Sequence, residues 1–576
     1  MITFNYKNWS IVAVLLLFGV LQSVVTISHA TGFDCASVTE IPNSECEALV
    51  DFYDSTNGSD WISNTGWKQT NTPCSWYGVS CDSGHISELH LDNNNLSGAL
   101  SDMADLPFLQ NVTLSDNQLS GGIPDFQLPL LQELQISGNP FGGTLPDFSN
   151  MANLREFRCG QCQLTGTIPD FSNMTHLRSL WLDNNQLSGT VPSFTNLTTL
   201  ETLELMFNAF DNIPDISGLP GLIYLGLGYN QLTGNIPDFS HISNLEWLDL
   251  NNNQLTGSIP DFSNLPNLKN INLYSNNLTG TIPTFSASPR LESIGLGNNY
   301  LEGQFPDLSS LSSLNSLYLD NNRLRGVIPS SFCSMTLEYG SWGYNMLDIY
   351  NTDECVSFPD NDWRDTQTVP PTNIHPTAIS MDEVVIQWDI IPYTGDGGYY
   401  ELLMSNTAGG SYTSAGVTSS KLDNSLTVNN LTPGSTYYLV VRTFTPAHGD
   451  QKNDLTSDNS YEIVVMILDI AVNNDDVVLS WTPTSSNSFS PQRGEQEASP
   501  ATFDRYEILY SQNFYFSPDD PGVTSIISTE DSWTHVGAGI DTEHNYGYMM
   551  RGINDDLGKS EPFNRVGKFT FILTPG

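Results

Sequence analysis

The chain has 576 residues, with 19 Lys and Arg against 64 Asp and Glu, for a formal net charge of −45. Such a surplus of negative charge repels phosphate backbones and anionic headgroups, which excludes nucleic-acid and polybasic-membrane roles. Its 45 Gly and 32 Pro are near ordinary usage, and 11% aromatics exceed what disorder carries, so several folded domains are expected.

The first segment reads as an address. Lys7 precedes an apolar run from Ile11 to Leu21, and Ser28-His29-Ala30 offers a small-x-small cut. This pattern predicts a signal peptide over 1–30 with cleavage after Ala30. The run falls short of the ~20 apolar residues of a membrane span, and no later stretch is apolar enough. The mature chain is expected to be secreted, extracellular and free of a membrane span. Eight cysteines suit that oxidising destination. Cys35 and Cys46 are near neighbours, as are Cys74 and Cys81, while Cys333 and Cys355 flank the far end of the middle region and form a third candidate pair. Cys159 and Cys162 look like a metal half-site but lack the second pair that zinc requires.

The middle of the chain is periodic. The pattern L-x-x-L-x-L-x-x-N-x-L-x-G-x-I-P starts at Ile86, Leu109, Leu131, Leu154, Leu177, Leu200, Leu222, Leu245, Leu268, Leu291, Leu314 and Leu337. Its ninth position is Asn in every unit but one, where Cys162 stands. The L-x-L core alternates as a half-buried strand does, and strands of successive units can stack as a parallel sheet. An inward Asn can satisfy backbone groups that a stacked turn leaves unpaired. No unit alone can bury its apolar edge, so the units must form a solenoid. In this register Cys159 takes a core Leu position and Cys162 the Asn position, so both read as buried free thiols.

These repeats resemble the plant-type leucine-rich repeat family, whose L-x-G-x-I-P hallmark appears as Leu164-Thr165-Gly166-Thr167-Ile168-Pro169. Residues 31–85 resemble that family's N-terminal cap, with Cys46-Glu47-Ala48-Leu49, Trp61, Trp67 and Cys74-Ser75-Trp76-Tyr77-Gly78-Val79-Ser80-Cys81. The resemblance implies disulfides Cys74–Cys81 and Cys35–Cys46. The solenoid with its C-terminal cap is expected over 86–358. The chain departs from the family's receptor kinases in showing no membrane span and no kinase, and its usual repeat is 23 residues instead of 24.

A Pro-rich polar linker is expected over 359–373, followed by two all-β immunoglobulin-like modules, 374–466 and 467–576. In the first, Trp388, Tyr399-Tyr400 and Leu431-Thr432-Pro433-Gly434-Ser435-Thr436-Tyr437 follow one another as in a fibronectin type III module. The second has Trp481, Tyr506 to Tyr510 and Tyr546, but lacks the Leu-x-Pro before its corner and carries a polar insertion from Thr484 to Thr502.

No nucleophile pairs with a histidine in sequence, and Gly558-Lys559-Ser560 reads as a hairpin turn, since its upstream glycine, Gly552, is one residue too far for a phosphate loop. An enzyme is therefore not expected, nor any cofactor. Binding remains. Exposed strand positions of the solenoid carry Trp181, Met206, Phe207, Tyr224, Tyr229, Trp247 and Tyr274, with Glu201, Glu204, Glu246 and Asp249 among them and Arg155, Arg158 and Arg178 to one side. Large aromatics on a wet face are hot-spot residues. Trp181, Phe207, Tyr224, Tyr229, Trp247 and Tyr274 are the candidate site for an extracellular protein or glycan. The expected function is secreted recognition or adhesion, with the sandwiches as spacer or second contact. The alternatives are an inhibitor of a secreted polysaccharide-degrading enzyme, similar to the polygalacturonase-inhibiting proteins that share this repeat, and more remotely a hydrolase accessory. A row of Asp following the repeat Pro (Asp125, Asp147, Asp170, Asp215, Asp238, Asp261, Asp307) reads as solvated turn residues or as weak cation ligands.

Overall fold

Each repeat forms a short strand around the first position of its L-x-L, and twelve of these strands, from His85–His90 to Tyr339–Ser341, pair in parallel as one sheet. Val79–Asp82 adds a thirteenth strand, antiparallel, at the N-terminal edge. Register is set by the repeat, so that Leu203 lies beside Leu180 and Leu225, and Leu248 beside Ile271. The L-x-G segments pair as short parallel ladders of their own, such as Gln186–Gly189 with Thr165–Gly166 and Ala209–Phe210. Between the two ladders runs an apolar core in which the repeat Leu, Ile and Phe residues are nearly all buried.

The Asn at the ninth position of the repeat forms an internal ladder. Asn253 Nδ2 donates to the carbonyls of Leu227 and Leu250, each at 3.0 Å, while its Oδ1 accepts from the Leu232 amide at 3.0 Å. One side chain thus satisfies backbone groups in two neighbouring turns, and unpaired buried groups would cost about 1–3 kcal/mol apiece. The residues after the repeat Pro serve a local purpose. Asp147, Asp170, Asp215, Asp238, Asp261 and Asp307 each accept from the amide of a Ser two residues on, at 2.8–3.1 Å. The Ser217 and Ser240 amides hold Asp215 and Asp238 below the usual carboxylate range, and the Ser309 hydroxyl, then its amide, does so for Asp307.

The open N-terminal end is covered by the helix Asn43–Ser55, which buries Cys46, Leu49 and Phe52, and by Trp61, Trp67 and Trp76. Disulfides join Cys35 to Cys46 and Cys74 to Cys81. Glu45, buried in the helix, accepts from the Ile86 amide at 2.8 Å and so ties cap to first repeat. Cys159 and Cys162 are not free thiols, as the register suggests, but a third disulfide. The physical reason is that core position and Asn position both face inward across one tight turn, with Cα atoms 5.6 Å apart, inside the range a disulfide spans.

Nor do residues 363–369 behave as a linker. Trp363 is buried in the solenoid core, and Gln367 supplies the last rung of the Asn ladder: its Oε1 accepts from the Leu347 amide at 3.0 Å and its Nε2 donates to the Trp342 and Trp363 carbonyls at 3.1 and 2.8 Å.

The next unit is a β-sandwich. Thr372–Ile379, Glu383–Asp389 and Ser425–Asn429 form one antiparallel sheet. The other holds Thr413–Val417, Tyr399–Ser405 and Thr436–Thr445, with Leu455–Thr456 and Ile463–Met466 both paired to the last of these. Trp388 and Tyr400 are buried between them, and the Thr432 amide donates to the Tyr437 hydroxyl at 2.9 Å, the corner that the sequence pattern predicts. Farther on, three strands (Asp469–Asn473, Asp476–Ser480, Ser532–His535) and four (Thr524–Ser528, Arg505–Ser511, Gly547–Ile553, Val566–Thr570) repeat the same division into two antiparallel sheets.

The sandwich is not held at arm's length. Asn453 Nδ2 donates to the carbonyls of Asn299 and Asn321 at 2.9 and 3.1 Å, and the Lys452 ammonium bonds the Asn276 carbonyl and, at 3.2 Å, Asn277 Oδ1. Arg325 pairs with Asp458 at 2.8 Å, and Tyr344 packs edge-on against Tyr393 and His448. The computed structural model describes residues 33–349, 362–379, 382–467, 469–473, 476–480, 505–511, 524–528, 532–535, 547–553 and 566–570. The signal segment, the Cys333–Cys355 pairing, the Thr484 to Thr502 insertion, Trp481, Tyr546 and Gly558-Lys559-Ser560 lie outside the residues or side chains described.

Candidate functional site

On the concave sheet the outward positions of successive strands lie side by side in columns, because parallel register repeats every turn. Two neighbouring columns carry Trp181, Tyr224 and Trp247. Their rings form a ladder: Trp181 to Tyr224 is 6.3 Å between centroids at 12°, and Tyr224 to Trp247 is 6.4 Å at 28°. Trp181 Nε1 donates to Ser179 Oγ at 2.7 Å, which fixes the ring. The guanidinium of Arg158 covers it at 4.8 Å. The Tyr224 ring and the Glu204 carboxyl fill the space over Gly226, which has no side chain; a Cβ there would lie 2.8 Å from Tyr224 Cε1 and 2.5 Å from Glu204 Oε2.

Phe207 and Tyr229 form a separate stacked pair, 4.1 Å apart at 13°. They occupy the eighth position of the repeat, where every unit turns out of its strand with positive φ. Asn fills that position at residues 93, 184, 252, 298 and 321, as expected of a residue that tolerates the left-handed region. Bulky aromatics do not, yet Phe207 (φ 54°), Tyr229 (φ 52°) and Tyr344 (φ 53°) stand there. Tyr344 is accounted for by its contacts with the sandwich. Among the described residues Phe207 and Tyr229 have no such cover, with exposures of 42% and 43%. Strain of this kind persists where the surroundings or the function require it.

Tyr274 is the sixth expected residue. It leans over Gly297, and among the described residues it stacks with none of the other five. Trp247 and Tyr274 are exposed as well, at 44% and 36%. The strip continues past the residues picked out in sequence, through Tyr318 and Tyr339, which stand in the columns of Trp181 and of Trp247 and are also exposed. Their register position is the signal that could have found them.

The carboxylates among the rings differ in setting. Glu204 is only 4% exposed, and burial, tempered by a hydrogen bond with Tyr224, pushes its carboxyl up to about 7. Burial likewise raises Asp249, which accepts from the Asn251 amide at 3.0 Å and from Asn272 Nδ2 at 3.1 Å. The Tyr224 and Tyr274 hydroxyls are held above the usual phenol range, first by burial. On the flank where the chain enters these strands, Arg178, Glu201, Ile223, Glu246 and Asn267 help line a shallow groove of about 480 Å³. Arg178 pairs with Glu201 at 3.4 Å and Lys269 with Glu246 at 2.7 Å, so these charges are largely answered within the protein.

Comparison with known proteins bears on the scaffold. The leucine rich repeat N-terminal domain matches residues 42–82, leucine-rich repeats match 130–151, 176–197, 198–255, 243–287 and 313–335, and the fibronectin type III domain matches 369–459. The chain is a leucine-rich repeat protein with a fibronectin type III domain. Similar repeats occur in two Arabidopsis thaliana proteins, pollen receptor-like kinase 6 (38% identical over 88 residues, 14% of this chain and 13% of the kinase) and pollen receptor-like kinase 1 (29% over 86 residues, 15% and 13%). This leucine-rich repeat protein thus spans only about an eighth of the curated relatives' length. Among solved structures, the Arabidopsis receptor kinase HAESA, in complex with the peptide hormone IDA and the co-receptor SERK1, is 32% identical over 53% of this chain and 58% of its own, with a TM-score of 0.47. A leucine-rich repeat protein of Leptospira interrogans is 29% identical over 46% and 73%, with a TM-score of 0.37. No helix among the described residues of the leucine-rich repeat protein is long and apolar enough to cross a membrane.

Proposed function

We propose that this chain is a secreted, non-catalytic recognition protein whose concave strip binds an extracellular protein or glycan. One observation carries the reading: Phe207 and Tyr229 are stacked on each other, largely exposed, and held in left-handed backbone that disfavours their bulk. Trp181, Tyr224, Trp247 and Tyr274 extend the surface across repeats five to nine, so one partner can touch several turns at once. Rigid, evenly spaced aromatics of this sort anchor interfaces. The signal pattern over 1–30 and the disulfides support an extracellular setting. The test is capture from secreted proteins and from a glycan array by the chain from residue 31 onward. Trp181→Ala and Trp247→Ala should each weaken capture at least tenfold, a loss of about 1.4 kcal/mol, with little change in thermal midpoint. Normal capture by both variants overturns the reading.

A further inference from the structure

Two rings on this solenoid carry a cation. Trp181 lies beneath the Arg158 guanidinium, and Tyr300 beneath both the Lys452 ammonium at 4.5 Å and the Arg323 guanidinium at 5.0 Å. In each case a cation occupies the ring face, an attraction that strengthens as water is excluded. Trp247, Tyr229 and Tyr274 offer ring area with no cation among the described residues stationed over it.

The surroundings select the same charge. Asp183 takes Asn184 Nδ2 at 2.8 Å, and Asp249 takes the Asn251 amide and Asn272 Nδ2. Among the described residues neither is paired with a Lys, Arg or His. The carboxylates of Glu201 and Glu246 on the flank are matched internally, which makes the contrast local. The chain as a whole, at −45, draws cations toward it.

We infer that the strip takes a basic polypeptide segment, with Lys or Arg side chains laid over Trp247, Tyr229 and Tyr274 beside Asp249. This rests on the concave-face reading above and narrows it. Four strand spacings of roughly 4.8 Å separate Trp181 from Tyr274, so an extended segment of about six residues covers the strip. Its far end meets the sandwich, because Lys452 bonds the Asn276 carbonyl two residues beyond Tyr274. The Lys452 ammonium sets the limit: it repels a further ligand cation and so fixes where the basic run ends.

The experiment uses the chain from residue 31 onward and three eight-residue peptides of alternating Ser and Arg, Ser and Gln, or Ser and Glu, with binding followed by calorimetry at two salt concentrations. The Arg peptide should bind at least tenfold more tightly than the Gln peptide, the Glu peptide should not bind, and affinity should fall as salt rises. Trp247→Ala and Asp249→Asn should each weaken the Arg peptide at least fivefold. If the Gln or Glu peptide binds as well as the Arg peptide and Trp247→Ala abolishes it, the concave site stands and the basic preference is wrong. If the Arg peptide binds and neither variant matters, the attraction is diffuse and the proposal fails together with this use of the strip. Absence of Arg-peptide binding also overturns it.

Discussion

Tyr229 shows how one side chain can work against its own backbone. Left-handed φ costs a bulky L-residue about 1–2 kcal/mol, which Asn largely escapes, while a stacked aromatic pair returns roughly 0.5–1.5 kcal/mol. Tyr229→Asn should therefore leave stability nearly unchanged, whereas Tyr229→Ala keeps the strain, loses the stack, and should be about 1 kcal/mol less stable than Tyr229→Asn by urea titration. Both should lose ligand. Glu204 makes a second prediction. Unfolded, this carboxyl releases its proton near 4.5; folded, near 7. Its native form therefore holds the proton longer, so its contribution to stability is complete below 4.5 and disappears as pH rises through 7, with a span of about 3 kcal/mol. Glu204→Gln should flatten stability across that window and exceed the parent above pH 7. A parent profile that is already flat there would refute the assignment.

At the scale of the element, the ladder and its substitutions decide what was legible. The periodic Leu and Asn positions show in sequence because each unit must satisfy the same backbone groups. The two breaks did not. Cys162 replaces an Asn and bonds Cys159 instead, a pairing that needs the turn's geometry to be seen. Gln367 replaces an Asn in a stretch without Leu periodicity, so the closing turn looks like polar linker. The same reasoning yields a prediction. Cys159→Leu with Cys162→Asn restores the repeat on both counts and should fold without the disulfide, losing less stability than Cys159→Ser with Cys162→Ser by at least 1 kcal/mol, since the latter leaves a cavity and unpaired backbone. At the cap, Cys74→Ser removes a short loop closure and should cost about 2–4 kcal/mol, read as a lower denaturation midpoint under oxidising conditions.

For the whole molecule, the candidate strip was readable because exposed strand positions follow from register alone. The left-handed column under Phe207 and Tyr229 was not, since conformation at the eighth position is a property of the turn. The seating of the sandwich was also hidden: Lys452 and Asn453 are polar loop residues whose partners, over a hundred residues away, are backbone carbonyls. Asn453→Ala with Lys452→Met should let the two domains unfold separately, splitting one calorimetric transition into two, while leaving the aromatic strip in place.

That seating has a mechanical consequence. A pull applied to the chain beyond the sandwich does not reach the solenoid through its last turn alone, because Lys452 and Asn453 grip carbonyls in repeats nine to eleven and Arg325 holds Asp458. The load is spread in shear over several turns at once, and turns that would peel singly from a free end must give way together. A tether drawn through residue 459 should therefore part at higher force than one attached at residue 349, and the arc that carries the aromatic strip should keep its curvature under tension.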